Sequence, residues 1–308
     1  MIKRREFLAT IVVVPGVCIA HAEERRCRLC GVLIADNEKY YQVKGNKEVF
    51  CVRCYFQAPR CRLCKLPARA EELDPETGAC PDCLAKLPRC RSCGKAIAGS
   101  AYQYRFARGV FCPECRKSRP ACHLCGVPVG DDGWKYPDGR TICGECAERI
   151  VIDVDQIKRI MRDAHQLVVS RAGLEVKRPY TVIVEKLSDS GHDSGQAPIY
   201  GSELGVYRLS GDRSEIFLLF GLPPELLYET AAHEYAHAWQ AENGLFGLPP
   251  DLLEGFAQWV AADVLRAKGY SLALEKLEAR TDFPYGVGYR RLRAMQQHKV
   301  LELMFQKR

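Results

Sequence analysis

The sequence predicts an α+β chain in which four small cysteine-rich modules precede one larger domain. Sixteen of the 17 cysteines lie between Cys27 and Cys146, all in C-x-x-C pairs. After residue 146 there is no cysteine, and the apolar residues follow the spacing of helices and strands instead. Because the composition changes so sharply, we predict modules over residues 23–149 and a globular domain over residues 150–308.

The cysteine pairs repeat with regular spacing. They define modules over residues 27–54, 61–83, 90–115 and 122–146, with 15 to 20 residues between the two pairs of a module and six residues between modules. Two C-x2-C pairs joined by a hairpin-length spacer are typical of a tetrahedral four-thiolate zinc site. We therefore expect about four structural zinc ions. Their predicted ligands are Cys27, Cys30, Cys51, Cys54, Cys61, Cys64, Cys80, Cys83, Cys90, Cys93, Cys112, Cys115, Cys122, Cys125, Cys143 and Cys146.

Three alternatives to this assignment stay open. The cysteines could form disulfides, which is the usual state of an exported cysteine-rich chain. An iron–sulfur cluster fits less well, because every module has a long spacer rather than a compact run of four cysteines. Cross-braced pairing is also open, although six-residue linkers favour sequential pairing. Since repeats of about 30 residues bury too little core to fold alone, this half should depend on bound metal.

The first 22 residues have the pattern of an export signal. A basic start precedes an apolar run up to Ala20, and a small-x-small cleavage site ends at Ala22. The stretch KRREFLA resembles a bacterial twin-arginine signal, which exports proteins already folded. Pro15 interrupts the apolar run, which is too short to span a bilayer. We predict a periplasmic or extracellular mature chain without a transmembrane segment, and we expect Cys18 to leave with the signal; a basic N-terminal helix of a cytosolic protein is the alternative.

The net charge of +7 raises the question of a nucleic-acid partner. Residues 23–148 contain 22 lysines and arginines against 16 aspartates and glutamates. Each four-thiolate zinc site has a charge of about −2, so four such sites would offset this basic excess. We therefore expect no nucleic-acid partner.

The region after residue 150 predicts alternating helices and strands. VDQIKRIMRDAHQLVV has helical spacing, PYTVIVEKL predicts a strand, and SDSGHDSGQAP is a polar glycine-rich loop. GVYRL and SEIFLLFGLP predict two neighbouring strands, and a helix begins near Pro224. The alanine-rich stretch AAHEYAHAW indicates that this helix is buried, where unpaired imidazoles would be costly.

Two histidines on this helix are spaced to share a metal ion. His233 and His237 are four residues apart, so their imidazoles lie on one face. In the H-E-x-x-H pattern the two histidines bind zinc and the glutamate, here Glu234, is the general base. A catalytic zinc needs a third protein ligand, and Glu254 is our candidate because a facing helix can begin at the prolines before it. Gln258, one turn further, is expected to orient a ligand.

These motifs carry a resemblance to a known class of enzymes. HEYAHAW followed by LLEGFAQW resembles the gluzincin peptidases, whose third zinc ligand is the glutamate of an E-G-x-A type helix. IFLLFGLP, LPPDLLEGFAQ and YGVGYR, with zinc modules before them, look like the DA-one family of LIM-domain zinc peptidases of plants and their bacterial relatives. The resemblance covers most of the mature chain. It implies a zincin-like (gluzincin) domain, one catalytic zinc bound by His233, His237 and Glu254, and catalysis by Glu234.

The sequence departs from that family in two respects. The modules are only LIM-like or zinc-ribbon-like, because LIM domains join their two modules through a shorter linker and usually use a histidine ligand. The ubiquitin-interacting helices of the plant members are absent, so ubiquitin-dependent control is not expected here. The modules themselves are expected to recruit a substrate or a protein partner.

The implied chemistry is hydrolysis of a protein or peptide substrate. Tyr285, in YGVGYR, is our candidate donor to the oxyanion, placed there by a flexible glycine-rich turn, and Tyr289 is a weaker substitute. SEIFLLF is expected to be the edge strand that pairs with an extended substrate, which favours endopeptidase over aminopeptidase action. The alternative is a zinc-finger adaptor that carries an inactive peptidase-like domain.

Overall fold

The computed structural model describes most of the chain, namely residues 24–43, 47–136, 138–185, 204–210 and 213–306. The predicted export signal, at residues 1–22, and the polar loop at 188–198 lie outside these ranges. Mixed helices and small sheets, together with four four-cysteine clusters, confirm the predicted α+β class. Within the described ranges no helix has the length and apolar content of a membrane span.

The chain divides into two compact units. Among the described residues, one unit contains those from 24 to 103 together with 109–114, and the other contains 104–108 together with those from 115 to 306. The fourth cysteine module, at 122–146, therefore belongs to the same unit as the helices and strands that follow it.

Each cysteine module is built on the same turn. The residue after the second cysteine donates its N–H to the carbonyl of the first cysteine, at 2.7 to 3.0 Å. This residue has a positive φ in all four modules and is glycine in three of them, whereas the second module has Lys65. A bridge closes each turn: Arg26 with Leu33, Arg60 with Pro67, Arg89 with Ala96, and Ala121 with Pro128. Because glycine adopts a positive φ without strain, C-x-x-C-G encodes this turn locally.

Short strands and helices complete the modules. In the first module β1 (Tyr40–Gln42) pairs antiparallel with β2 (Val49–Cys51), and in the fourth β3 (Trp134–Lys135) pairs with β4 (Thr141–Ile142). A helical turn covers Ala70–Glu72. Short helices begin directly after the third cysteine of each module and carry the fourth: α1 (Val52–Gln57), α2 (Pro81–Lys86), α3 (Pro113–Ser118) and α4 (Gly144–Ala147).

A three-stranded sheet lies in the C-terminal region. Its strands are β5 (Thr181–Glu185), β6 (Gly205–Ser210) and β7 (Arg213–Leu219), in the order β5-β7-β6. β5 runs parallel and β6 antiparallel to β7. The prediction that SEIFLLF is an edge strand is wrong, because β7 is paired on both sides. β6 is paired only with β7 among the residues that the structure describes.

Six helices accompany this sheet in the described region. They are α5 (Val154–Ala172), α6 (Pro224–Glu242), α7 (Pro250–Lys268), α8 (Ser271–Glu278), α9 (Tyr285–Leu292) and α10 (Gln297–Gln306). The helices predicted from VDQIKRIMRDAHQLVV and near Pro224 correspond to α5 and α6. Residues 230–236 of α6 are all buried, so this helix is covered on every side, as its alanine-rich sequence predicts.

Helices α7 and α9 touch through two glycines. A Cβ on Gly255 would lie 2.5 Å from the Cα of Gly288, and a Cβ on Gly288 would lie 1.9 Å from the carbonyl oxygen of Asp251. Only glycine lets two helix backbones approach this closely. YGVGYR therefore forms the start of α9, and the prediction of a flexible glycine-rich turn there is wrong.

Candidate metal centres

The four cysteine clusters have the dimensions of zinc sites. The four sulfurs of each module lie within 4.8 Å of one another, and each cluster uses the two pairs of one module. The Sγ atoms of the second and third cysteines of each module are separated by 3.9 Å (Cys30–Cys51), 3.8 Å (Cys64–Cys80), 3.9 Å (Cys93–Cys112) and 3.7 Å (Cys125–Cys143). Two sulfurs on one tetrahedral zinc are about 3.8 Å apart, whereas the sulfurs of a disulfide are about 2.0 Å apart.

Backbone N–H groups favour the thiolate form of the first cysteine. In the second, third and fourth modules the N–H of the third cysteine donates to the Sγ of the first, at 3.3 Å. Burial raises the pKa of Cys61 and Cys90, but backbone hydrogen bonds outweigh it and lower both pKa values to about 6. Because zinc binds the thiolate, the local backbone prepares these residues as ligands.

A fifth candidate site lies where α6 and α7 pack together. His233 Nε2 is 3.1 Å from His237 Nε2 and 3.1 Å from Glu254 Oε2, and His237 Nε2 is 3.4 Å from Glu254 Oε2. Three ligand atoms on one tetrahedral zinc, each about 2.0 to 2.1 Å from it, are about 3.3 Å apart. The three side chains are therefore a possible metal site with dimensions that fit zinc.

The charges of this site suit a cation. Burial raises the pKa of Glu254, but its contacts with the two imidazoles outweigh burial and hold that pKa well below its usual range. Burial lowers the pKa of His237, yet the carboxylates of Glu254 and Glu234 raise it overall. An ionised carboxylate in contact with two imidazoles offers the ligand set that zinc prefers in hydrolytic sites.

Gln240 holds the second histidine in place. Its fully buried side chain brings Oε1 to 2.7 Å from His237 Nδ1, and its Nε2 donates to the Leu253 carbonyl at 3.0 Å. Because the amide oxygen accepts, Nδ1 of His237 carries the proton and Nε2 is free to bind a metal. One side chain thus links the histidine on α6 to the residue before Glu254 on α7. Gln240 was not predicted from the sequence, although its position three residues after His237 was an available signal.

Gln258 does not have the predicted role. It is buried, and its Oε1 has no hydrogen-bond partner among the described residues; the same holds for Nδ1 of His233. The prediction that Gln258 orients a metal ligand is therefore wrong for a direct hydrogen bond, and Gln240 makes that kind of contact instead.

Glu234 lies between β6 and the three candidate ligands, His233, His237 and Glu254. Its side chain is buried, and burial raises its pKa above the ordinary value against the opposing charge of the two imidazoles. The backbone of Tyr207 in β6 lies close enough to this carboxylate to oppose that rise in pKa. Gly205 allows this approach, because a Cβ there would lie 2.5 Å from Thr230 Cγ2 and 3.0 Å from Glu234 Cγ. A buried carboxylate of raised pKa beside metal ligands is suited to proton transfer.

Tyr285 reaches the site from the first position of α9. Its ring centroid is 6.0 Å from that of His233, and the guanidinium of Arg280 lies 4.6 Å from the centre of the tyrosine ring. Tyr289 is buried, and its hydroxyl donates to Glu278 at 3.0 Å. The structure therefore places Tyr285 beside the three candidate ligands, whereas the hydroxyl of Tyr289 is hydrogen-bonded to Glu278.

Comparisons of the chain with protein-family models, with characterised proteins and with solved structures found no match. The resemblance to gluzincins and to the DA-one family therefore stays a hypothesis that depends on the motif residues. A functional assignment therefore depends on the geometry of the five candidate metal sites.

Proposed function

We propose that the second compact unit is a zinc-dependent endopeptidase that hydrolyses peptide bonds, with a zincin-like (gluzincin) catalytic site. The observation that carries this proposal is the triangle of His233, His237 and Glu254 next to the buried carboxylate of Glu234. Two histidines at this spacing occur by chance on many helices. A third ligand from a separate helix, at matching distances, is much harder to obtain by chance.

Each catalytic side chain has a role that follows from its position. When bound at the triangle, zinc would polarise the scissile carbonyl and make the attacking water more acidic. Glu234 takes up a proton from that water and returns it to the leaving amine, because its buried carboxylate has a raised pKa. Tyr285, which lies against His233, donates its hydroxyl to the oxygen that gains negative charge.

The side of β6 that is unpaired in the described part of the chain is the proposed binding edge for the substrate. Leu219 donates its N–H to the Leu204 carbonyl at 2.8 Å. Because hydrogen-bonded and open pairs alternate in an antiparallel ladder, the backbone groups of Gly205 and Tyr207 then point away from β7. An extended peptide that pairs along this edge would pass next to Glu234, which favours cleavage within a chain.

The cysteine modules are proposed to recruit a protein substrate or partner. The first module exposes an aromatic surface that supports this role: the rings of Tyr41 and Tyr55 stack with centroids 3.8 Å apart, and Phe56 is 63% exposed. Aromatic side chains are enriched at protein interfaces. Export by a twin-arginine-like signal and the lack of a nucleic-acid partner are part of the same proposal.

The decisive experiment combines a metal count with peptide-library cleavage for the wild type and Glu234→Gln. We expect about five zinc ions per chain in both proteins, since the substitution keeps every ligand. Cleavage by Glu234→Gln should fall at least about 100-fold, because the amide cannot accept the proton. Glu242→Gln, at the end of the same helix, is the control; it keeps an oxygen for the Lys177 N–H and should cleave normally.

Two outcomes would count against this proposal, the first against its general base and the second against any peptidase activity. Equal cleavage by the wild type and Glu234→Gln would remove the proposed base. A chain with five bound zinc ions that cleaves nothing in the library would instead favour the adaptor with an inactive peptidase-like domain.

A further inference from the structure

Three successive carbonyl groups between β7 and α6 accept hydrogen bonds from residues 136, 140 and 151, which lie before or at the start of the C-terminal domain. The carbonyls belong to residues 220–222, which connect the central strand to the helix that carries both histidines. The bonds run from Arg140 Nη2 to Phe220 O at 2.9 Å, from Tyr136 Oη to Gly221 O at 2.8 Å, and from Val151 N to Leu222 O at 2.9 Å. The first two donors lie in the fourth cysteine module.

The two side-chain donors, Arg140 and Tyr136, are held by buried contacts. The side chains of Arg140 and Asp138 are 3% and 1% exposed, and Arg140 Nε donates to Asp138 Oδ2 at 2.9 Å. The guanidinium also lies 4.3 Å from the centre of the Tyr136 ring. A buried ion pair with further hydrogen bonds tolerates few other arrangements, since any displacement would leave a charge unpaired.

The acceptor side is shaped to match. Gly221 has a φ of 75°, and a Cβ there would lie 2.4 Å from Tyr136 Oη. Glycine at this position therefore permits both the backbone turn and the close approach of the tyrosine hydroxyl. In the first turn of α6, the side chain of Glu225 forms an ion pair with Arg149, just after the module.

We infer that the fourth cysteine module is a positioning element for the metal site on α6, and that Arg140 and Tyr136 are its positioning residues. Both lie on the loop between the second and third cysteines, where β4 leads directly into Cys143. The N–H of Cys143 donates to Cys122 Sγ at 3.3 Å, so the thiolate cluster anchors this hairpin. The start of α6 is thereby fixed, and with it the direction in which His233 and His237 face Glu254.

This role goes beyond recruitment of a substrate. It makes metal binding by one thiolate cluster a condition for accurate placement of a separate set of ligands in the same compact unit. The predicted effect on hydrolysis depends on the proposed function, whereas the predicted effects on α6 and on zinc retention do not.

The test uses the full chain with Arg140→Met, Tyr136→Phe and the control Arg119→Met. Arg119 lies three residues before Cys122 and pairs with Asp131 of the fourth module at 2.8 Å, a contact that does not involve residues 220–222. Amide hydrogen exchange is followed in α6 with α10 as the internal reference, and zinc loss to a chelator is timed. In Arg140→Met we expect the amide hydrogens of α6 to exchange about tenfold faster than in the wild type. We also expect the most labile zinc of this variant to be lost about tenfold faster, as for other residues that orient metal ligands.

Tyr136→Phe removes one hydroxyl, so amide exchange in α6 and zinc loss should both be about threefold faster than in the wild type. This variant keeps the test available if Arg140→Met fails to fold. The turnover number should fall in both variants while KM for a short peptide stays unchanged. Equal α6 exchange and zinc loss in Tyr136→Phe, Arg119→Met and the wild type would overturn the inference. Loss of the proposed function would appear separately, as normal cleavage by Glu234→Gln.

Discussion

The first cysteine module and the helical region present metal ligands on very different supports. The buried apolar cluster of the first module consists of Cys27, Ile34 and Val49, and one of these, Cys27, is itself a candidate zinc ligand. The buried apolar cluster of the helical region is much larger and contains residues distributed along the chain from Val151 to Met304. Folding of the first module should therefore depend mainly on its candidate zinc ligands. In the helical region the candidate ligands project from helices that an extensive apolar core stabilises. The fourth module stands between the two cases, because it shares a compact unit with the helices.

Removal of zinc should separate the two regions most strongly. Each structural zinc contributes about 10 kcal/mol or more to folding of such modules, so a strong chelator should unfold residues 24–103. Helices α5 and α7 should persist, since their buried residues are held by the apolar core. Circular dichroism would follow the helices, and hydrogen exchange would follow the modules; re-addition of zinc is the control. A single transition that removes both signals would contradict the comparison.

The contact between α7 and α9 tests whether the helical scaffold is preformed. Gly288→Ala forces a methyl group toward the Asp251 carbonyl, and overpacking of this kind costs about 1–3 kcal/mol. We expect the helical region to melt several degrees lower and Tyr285 to move away from His233, with zinc in the modules unchanged. Gly247→Ala is the control, because nothing lies within 4 Å of its added Cβ. Equal melting temperatures for the two variants would show that α9 adapts freely.

Gln240 tests how far the helical site depends on orientation rather than on ligands alone. Gln240→Leu removes the hydrogen bond to His237 Nδ1, and loss of such a contact typically weakens metal binding by about 10- to 100-fold. Zinc titration with a competing chelator would measure the change, and the four thiolate sites should be unaffected. Gln258→Leu is the matched control, since its Oε1 has no partner among the described residues. If both leucine variants bind zinc equally well, Gln240 does not orient the histidine.

The smallest expected effect concerns the local turn of the second module. Lys65 has a φ of 64°, where the other three modules have glycine. Lys65→Gly should therefore stabilise the second module by about 1 kcal/mol, because a side chain in the left-handed region is strained. Denaturant unfolding of the zinc-loaded chain would detect the shift. Lys86→Gly, at the end of the helix α2, should shift the midpoint in the opposite direction by a similar amount, about 1 kcal/mol.

The features predicted correctly from the sequence depend on short-range geometry. C-x-x-C-G specifies a turn because one residue must adopt a positive φ, and the even spacing of the pairs matches four separate clusters. His233 and His237 share a face because a helix repeats every 3.6 residues. Local spacing also singled out Glu254, and the structure brings its carboxylate within 3.4 Å of both imidazoles.

The features that the sequence could not supply depend on packing between distant elements. SEIFLLF reads equally well as an edge or a central strand, and only the pairing with β5 and β6 decides. YGVGYR has the composition of a turn, yet its glycines serve a contact between helices. Gln240 and Gln258 are both one turn from a ligand, and the crossing of α6 with α7 determines which one touches it.

The three bridged carbonyls have a practical consequence for dividing this chain. A fragment that starts at residue 150 would carry every buried residue of the apolar core and all three proposed zinc ligands of the helical site. It would also leave the carbonyls of Phe220 and Gly221 without their donors, at the point where the chain turns into α6. The smallest autonomous fragment should therefore begin before Cys122, and it should be purified with zinc present.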